Sequence, residues 1–158
     1  MSIKHKQMII RKLEDTHAEL EGTLEALDLE MVIHTETNWR IRDILGHIAT
    51  WDRVLIRSIK SFLDGTEYLI PGMVGVETDF NDQKVAEQRD LPTAEIVKEW
   101  KKARGDFITA VQGIPNERFN DELNFPWGDE RGSLTLMIEY MTGHNGEHQE
   151  EILDALKK

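Results

Sequence analysis

Two histidines, His144 and His148, stand four positions apart in GHNGEHQEEI (143–152), and a third, His47, sits in ILGHIATWD (44–52). An α-helix advances about 100° per residue, so side chains four apart differ by about 40° and their Cβ atoms lie about 5–6 Å from each other. Leu134, Met137, Ile138, Met141, Ile152 and Leu156 continue the row of the pair, and Ile44, Ile48 and Trp51 flank His47, so all three imidazoles are expected to face inward. Buried ring nitrogens need partners. Three inward histidines from two helices can converge on one cation. Histidine nitrogen binds zinc at about 2.0–2.1 Å, and three protein ligands leave an open position for water or a thiolate, as in a catalytic rather than a structural site. The competing account is a set of hydrogen-bonded packing histidines. A lone pair on one helix leaves the two accounts even, and the third histidine on another helix favours the metal.

Glu147, just before His148, lies about 60° round the helix from His144 and is the candidate catalytic acid or base. A solvated charge beside Glu150 and Glu151 is the commoner reading of such a residue. HNGEH also matches the H-x-x-E-H protease pattern, but those enzymes take a third, glutamate ligand well downstream, and only ten residues follow His148. His47 upstream is the better third ligand. His5, His17 and His34 read as surface or packing residues. Gly46, Gly143 and Gly146 each cost about 1 kcal/mol relative to alanine in a helix, so they call for either space beside the ion or close helix packing.

The elements that must carry these side chains are helices. Apolar residues recur at helical spacing over 3–27, 40–64, 93–112 and 134–156. Gly65 suits a C-cap, Pro92 and Thr93 a helix start, and Ser133 an N-cap. No strand-length alternation is evident. Four long amphipathic helices in one domain spanning 1–158 predict an all-α four-helix bundle. The connection between the second and third long helices is long enough for a crossover, and its DFNDQKVAEQRD half suits a short helix. The 115–132 connection contains the turn-like PWGDERG.

Composition narrows the chemistry. With 39% hydrophobic and 31% charged residues the chain is ordinary for a soluble domain, and no apolar run reaches bilayer length. MSIKHKQMII lacks the apolar core of a signal peptide, which leads to the expectation of a cytoplasmic protein. A net charge of −11 repels phosphate backbones, so no nucleic-acid partner is expected. There is no cysteine, which removes disulfides, thiolate zinc sites and a cysteine nucleophile together.

WRIRDILGHIATWD (39–52) resembles the W-x-x-[KR]-[DE]-[IL]-[IL]-x-H-[IL]-x-x-W signature of the DinB-like (DinB/YfiT) superfamily of metalloenzymes, and MTGHNGEHQEEIL (141–153) resembles its closing H-x-x-x-H-x-x-x-I helix. The spacing agrees across the chain, including DFND (79–82). The resemblance implies a bundle, often a homodimer, in which His47, His144 and His148 hold a divalent metal, zinc or nickel. Members of the wider group include S-transferases and isomerases that use bacillithiol, mycothiol or glutathione. One departure is Arg40, where Ser or Thr is usual as an N-cap; Asn38 or Thr37 is the expected substitute.

The expected function is therefore metal-dependent transfer of a thiol supplied as cosubstrate, or hydrolysis, on a small molecule. Its rival is a non-catalytic module that sequesters a metal or small molecule. An anionic thiol in so acidic a protein needs a local basic residue, for which Arg131 and Arg42 are candidates. Trp51 is expected to pack beside the site, with Trp127 and Tyr140 at a pocket mouth. Imidazoles with an ordinary pKa near 6.5 should release the metal as pH falls below that region.

Overall fold

The structure, a computed structural model, describes residues 3–72 and 77–157. Within them five α-helices form: α1 (Ile3–Leu24), α2 (Ile41–Leu63), α3 (Glu77–Glu87), α4 (Thr93–Gln112) and α5 (Leu134–Leu156). The four long ones fall on the four periodic segments, and α3 falls on the second half of the long connection. None of these helices is long and apolar enough to cross a membrane. α1 packs against α4 and α5, and α2 packs against the same two, with α3 laid on α2.

Two small hairpins go beyond the helical expectation: β1 (Val32–His34) with β2 (Trp39–Arg40), and β3 (Glu122–Asn124) with β4 (Arg131–Ser133), both antiparallel. Strands of two or three residues are too short to show a period of two. The PWGDERG turn joins β3 to β4. Gly128 adopts φ 91 there, a backbone conformation open to glycine, and its N–H reaches Phe125 O at 2.9 Å. Part of the long connection is tied to this hairpin through Ile70 N–H to Pro126 O at 2.8 Å.

The helix starts follow local chemistry. The Ser133 hydroxyl accepts from Leu136 N–H at 3.0 Å, as expected of an N-cap. At α2 the expectation of Asn38 or Thr37 as cap is corrected. Arg40 is the N-cap, and the Asp43 carboxylate at N3 accepts its backbone N–H at 2.8 Å, half of a capping box. Thr37 instead accepts from Trp39 N–H, and Asn38 makes the hairpin turn at φ 62.

The core divides into two apolar clusters along the helices. One takes Trp51, Leu55 and Ile59 of α2 with Phe107 and Val111 of α4 and Leu134, Met137 and Met141 of α5. The other takes Ile41, Ile44, Leu45 and Ile48 of α2 with Leu20, Leu24, Trp100 and Ile152. Each fully buried aliphatic side chain contributes about 1.5–3 kcal/mol. On α5, His144 and His148 fall between Met141 of the first cluster and Ile152 of the second, and on α2 His47 lies between Leu45 and Ile48 of the second and before Trp51 of the first. Next to them, Asp52 of α2 and Arg104 of α4 form an ion pair, 0% and 2% exposed. Burial pushes the Asp52 carboxyl up to about 6 even against its guanidinium partner.

The glycines divide. A Cβ on Gly46 would lie 2.2 Å from Gln88 Oε1, so there the Gln88 side chain, from the turn that follows α3, occupies the space. Nothing lies within 4 Å of such an atom at Gly143 or Gly146, so close packing does not account for those two.

Candidate metal centre

α2 presents His47 and α5 presents His144 and His148 to a common point. His144 Nε2 lies 3.0 Å from His47 Nε2 and 2.8 Å from His148 Nε2. One ligand nitrogen from each of the three lies within 4.8 Å of the other two. The rings pack edge to face, with centroids 4.9, 5.0 and 4.2 Å apart. His47 and His148 are buried, 5% and 7% exposed.

Proton chemistry alone serves this cluster poorly. A ring nitrogen carries either one hydrogen or one lone pair in the ring plane, so His144 Nε2 cannot bond both neighbours well. His144 Nδ1 is also buried without a hydrogen-bond partner. A cation accepts three converging lone pairs at once, and an all-nitrogen donor set suits zinc, nickel or copper over calcium or magnesium. The residues therefore fit a divalent transition metal.

The surroundings keep the His47 and His144 imidazoles neutral, as ligands must be. Burial, then the neighbouring His148 ring, lowers His47 to about 3 and His144 to about 2. The unfolded chain titrates them near 6.5 and so binds more protons between those values. Their contribution to stability is whole above about 6.5 and is lost as pH falls. Asp52, raised to about 6, acts oppositely over part of that window, but one carboxyl opposes two imidazoles. Chelator-treated protein is expected to show a urea midpoint that falls steadily from pH 7 to pH 4.5; a constant midpoint contradicts buried neutral rings. Metal release likewise shifts to lower pH than ordinary histidines would set.

Glu151, one turn beyond His148, was missed by sequence reasoning, which took it for a solvated charge. Its Oε1 lies 3.2 Å from His148 Nδ1, and its other oxygen meets His34 Nε2 from the β1–β2 hairpin. The His148 contact falls short of hydrogen-bond alignment, since that nitrogen has no bond of good geometry. The carboxylate is held down to about 2, first by His148, with burial opposing and His34 assisting. A carboxylate behind a ligating ring fixes its orientation. The signal was present: 144, 148 and 151 are spaced i, i+4, i+7, one helical row. Glu151→Gln is expected to keep the fold and weaken metal binding about 10–100-fold, read by competition with a chelator. Unchanged affinity would show that the carboxylate does not orient the ring.

A cavity of about 530 Å³ opens beside the cluster. His47 and His144 line it, while His148 stands behind with Glu151. Trp51, Trp127 and Tyr140 form its aromatic wall, and Leu55, Met137 and Met141 its apolar floor. Its other polar groups are Asn81 and Glu130. Asn81, from the DFND segment, accepts the Trp51 indole N–H at 2.8 Å. Trp51 thus lines the cavity together with Trp127 and Tyr140, while the indole that packs on His47 is Trp39, with ring centroids 5.3 Å apart.

The remaining candidates lie elsewhere. Glu147 is exposed and absent from the cavity wall. Arg131 reaches Glu67 at 3.3 Å. Arg42 is buried at the α3–α4 corner, donating to Thr93 Oγ1 and to the Gln88 and Leu91 carbonyls. Neither arginine lines the cavity. His17 packs on Trp100 with ring centroids 4.3 Å apart, a core role. His34 joins the centre only through Glu151, and its ring stacks on Trp39 at 5.7 Å.

No curated protein and no solved structure compared with the chain gave a match. Residues 12–152 match the sequence profile of the DinB superfamily, a span that takes in all three clustered histidines and the cavity wall, and the chain belongs to that superfamily.

Proposed function

We propose that this chain is a divalent-metal-dependent enzyme acting on a small molecule, with the ion, zinc or nickel, held by His47, His144 and His148. One observation carries the reading: three ring nitrogens converge, His144 Nε2 lying 2.8 and 3.0 Å from the other two, at the wall of a cavity large enough for a ligand. When bound, the ion supplies a Lewis acid that polarises or acidifies whatever reaches it from the cavity. The chain's own residues do the rest. Glu151 aims the His148 ring, the indoles and Tyr140 keep water from the approach, and the Asn81 amide N–H groups orient a ligand carbonyl.

Of the two chemistries, hydrolysis is favoured over thiol transfer, because among the described residues no lysine or arginine lines the cavity to pair with an anionic thiol cosubstrate. The rival reading, a bundle that sequesters its ligand without turnover, draws support from the position of Glu147 outside the cavity wall. We further read the long-helix packings as a four-helix bundle with a crossover from α2 to α4, assembled as a homodimer.

Protein purified without a histidine tag should carry about one transition-metal ion per chain by elemental analysis; none ends the reading. Metal-loaded protein is then assayed on a panel of esters and amides, and with low-molecular-weight thiols plus an electrophile. Turnover of the first set supports hydrolysis, turnover of the second supports transfer, and binding without turnover supports sequestration.

A further inference from the structure

The cavity's charge is as specific as its shape. Among its described lining residues Glu130 is the one carboxylic acid, and no lysine or arginine is present. Its carboxylate is held at the rim by the two rings beside it. The Trp127 indole N–H donates to Oε1 at 2.8 Å, and the Tyr140 hydroxyl lies 3.4 Å from Oε2. No ion pair to Glu130 exists among the described residues; its neighbour Arg131 is engaged by Glu67. The Trp127 ring stands 6.1 Å from both Trp51 and Tyr140, at 69° and 51°, and all three aromatic rings line the cavity.

Aromatic faces are the negative side of the ring quadrupole and attract a cation within about 6 Å of their centroids, more strongly where water is excluded. A carboxylate beside them adds a counter-charge. An anion meets the opposite on every count, in a protein whose net charge is −11.

We propose that the cavity selects an organic cation, its ammonium group at Glu130 between Trp127 and Tyr140 and its apolar body directed toward Met137 and the histidines. This rests on the reading of the cavity as the substrate site and names the substrate class. Trp51 and Trp127 line the space, so occupancy reports itself as a change in intrinsic fluorescence.

The probes are choline and the alcohol in which a tert-butyl group replaces its trimethylammonium, equal in shape and different in charge. Choline is expected to saturate the signal at a concentration at least about tenfold lower than the alcohol. Glu130→Gln, a change at an exposed position, should bring the two within about threefold. Chelator-treated protein should keep the choline preference, which separates this proposal from the metal reading. Equal affinities in the unmodified protein, no saturable signal with either probe, or a preference that survives Glu130→Gln each overturns the proposal. No metal in the unmodified protein as purified, with the preference intact, overturns the metal reading alone.

Discussion

His144→Ala is expected to abolish stoichiometric metal binding while leaving the protein folded. His144 is the hub of the cluster, the one ring whose Nε2 approaches both others, at 3.0 and 2.8 Å. Removing it leaves His47 and His148 on different helices with no nitrogen between them. The loss should exceed the about 10–100-fold typical of a supporting carboxylate and fall at or beyond about 100-fold. The helix itself should not suffer, since alanine is the better helix former and His144 is only half-buried. Helical circular dichroism checks the fold, and elemental analysis with chelator competition checks the ion. His17→Ala is the control, because its ring serves the Trp100 contact and lies outside the cluster. A His144→Ala protein that keeps one ion per chain places the metal somewhere other than the imidazole cluster.

Arg104→Met is expected to cause a large loss of stability. Arg104 Nε and one terminal nitrogen donate to the two oxygens of Asp52 at 2.9 and 3.0 Å, a bidentate pair wholly inside the protein. Removing the guanidinium strands a carboxylate that is 0% exposed, which costs about 3–5 kcal/mol. Against a total stability of about 5–15 kcal/mol that is a large fraction, and it lowers the melting temperature by about 10 °C. The loss should be smallest near pH 4, where the carboxyl carries its proton in the folded state. It should grow as pH rises past about 6, the value of Asp52 with its guanidinium partner in place, because the unmodified folded protein then releases a proton that the variant's unpaired carboxyl retains. The double variant Asp52→Leu/Arg104→Met should recover much of the loss, since two apolar side chains bury no charge. If the single variant melts where the unmodified protein does, the pair is solvated in solution. Asp52 follows Trp51 and lies on the helix of His47, so loosening it should also weaken the metal centre.

Much of this was legible along the chain. The four long helices follow from recurring apolar residues, and the inward direction of His47, His144 and His148 follows from sharing their rows. The short helix α3 was visible in DFNDQKVAEQRD. The hairpins were not, because two or three residues carry no measurable period. Arg40 looked like a broken cap, because the usual signal is the capping side chain itself; here Asp43 reaches back from three residues on. Glu147 and Glu151 are alike in type and neighbourhood, and only their angle on the helix separates them.

Local periodicity therefore determined which residues are helical and which imidazoles face the core, since both depend on neighbours within one or two turns. Tertiary structure decided what those imidazoles meet. It brought His34 of a hairpin and Glu151 of α5 behind His148, tied Arg42 and Arg131 to partners away from the cavity, and folded PWGDERG so that Trp127 and Glu130 face it. Such contacts join residues far apart in the chain, where the geometry is set by how helices and loops pack and no repeat in the sequence records it.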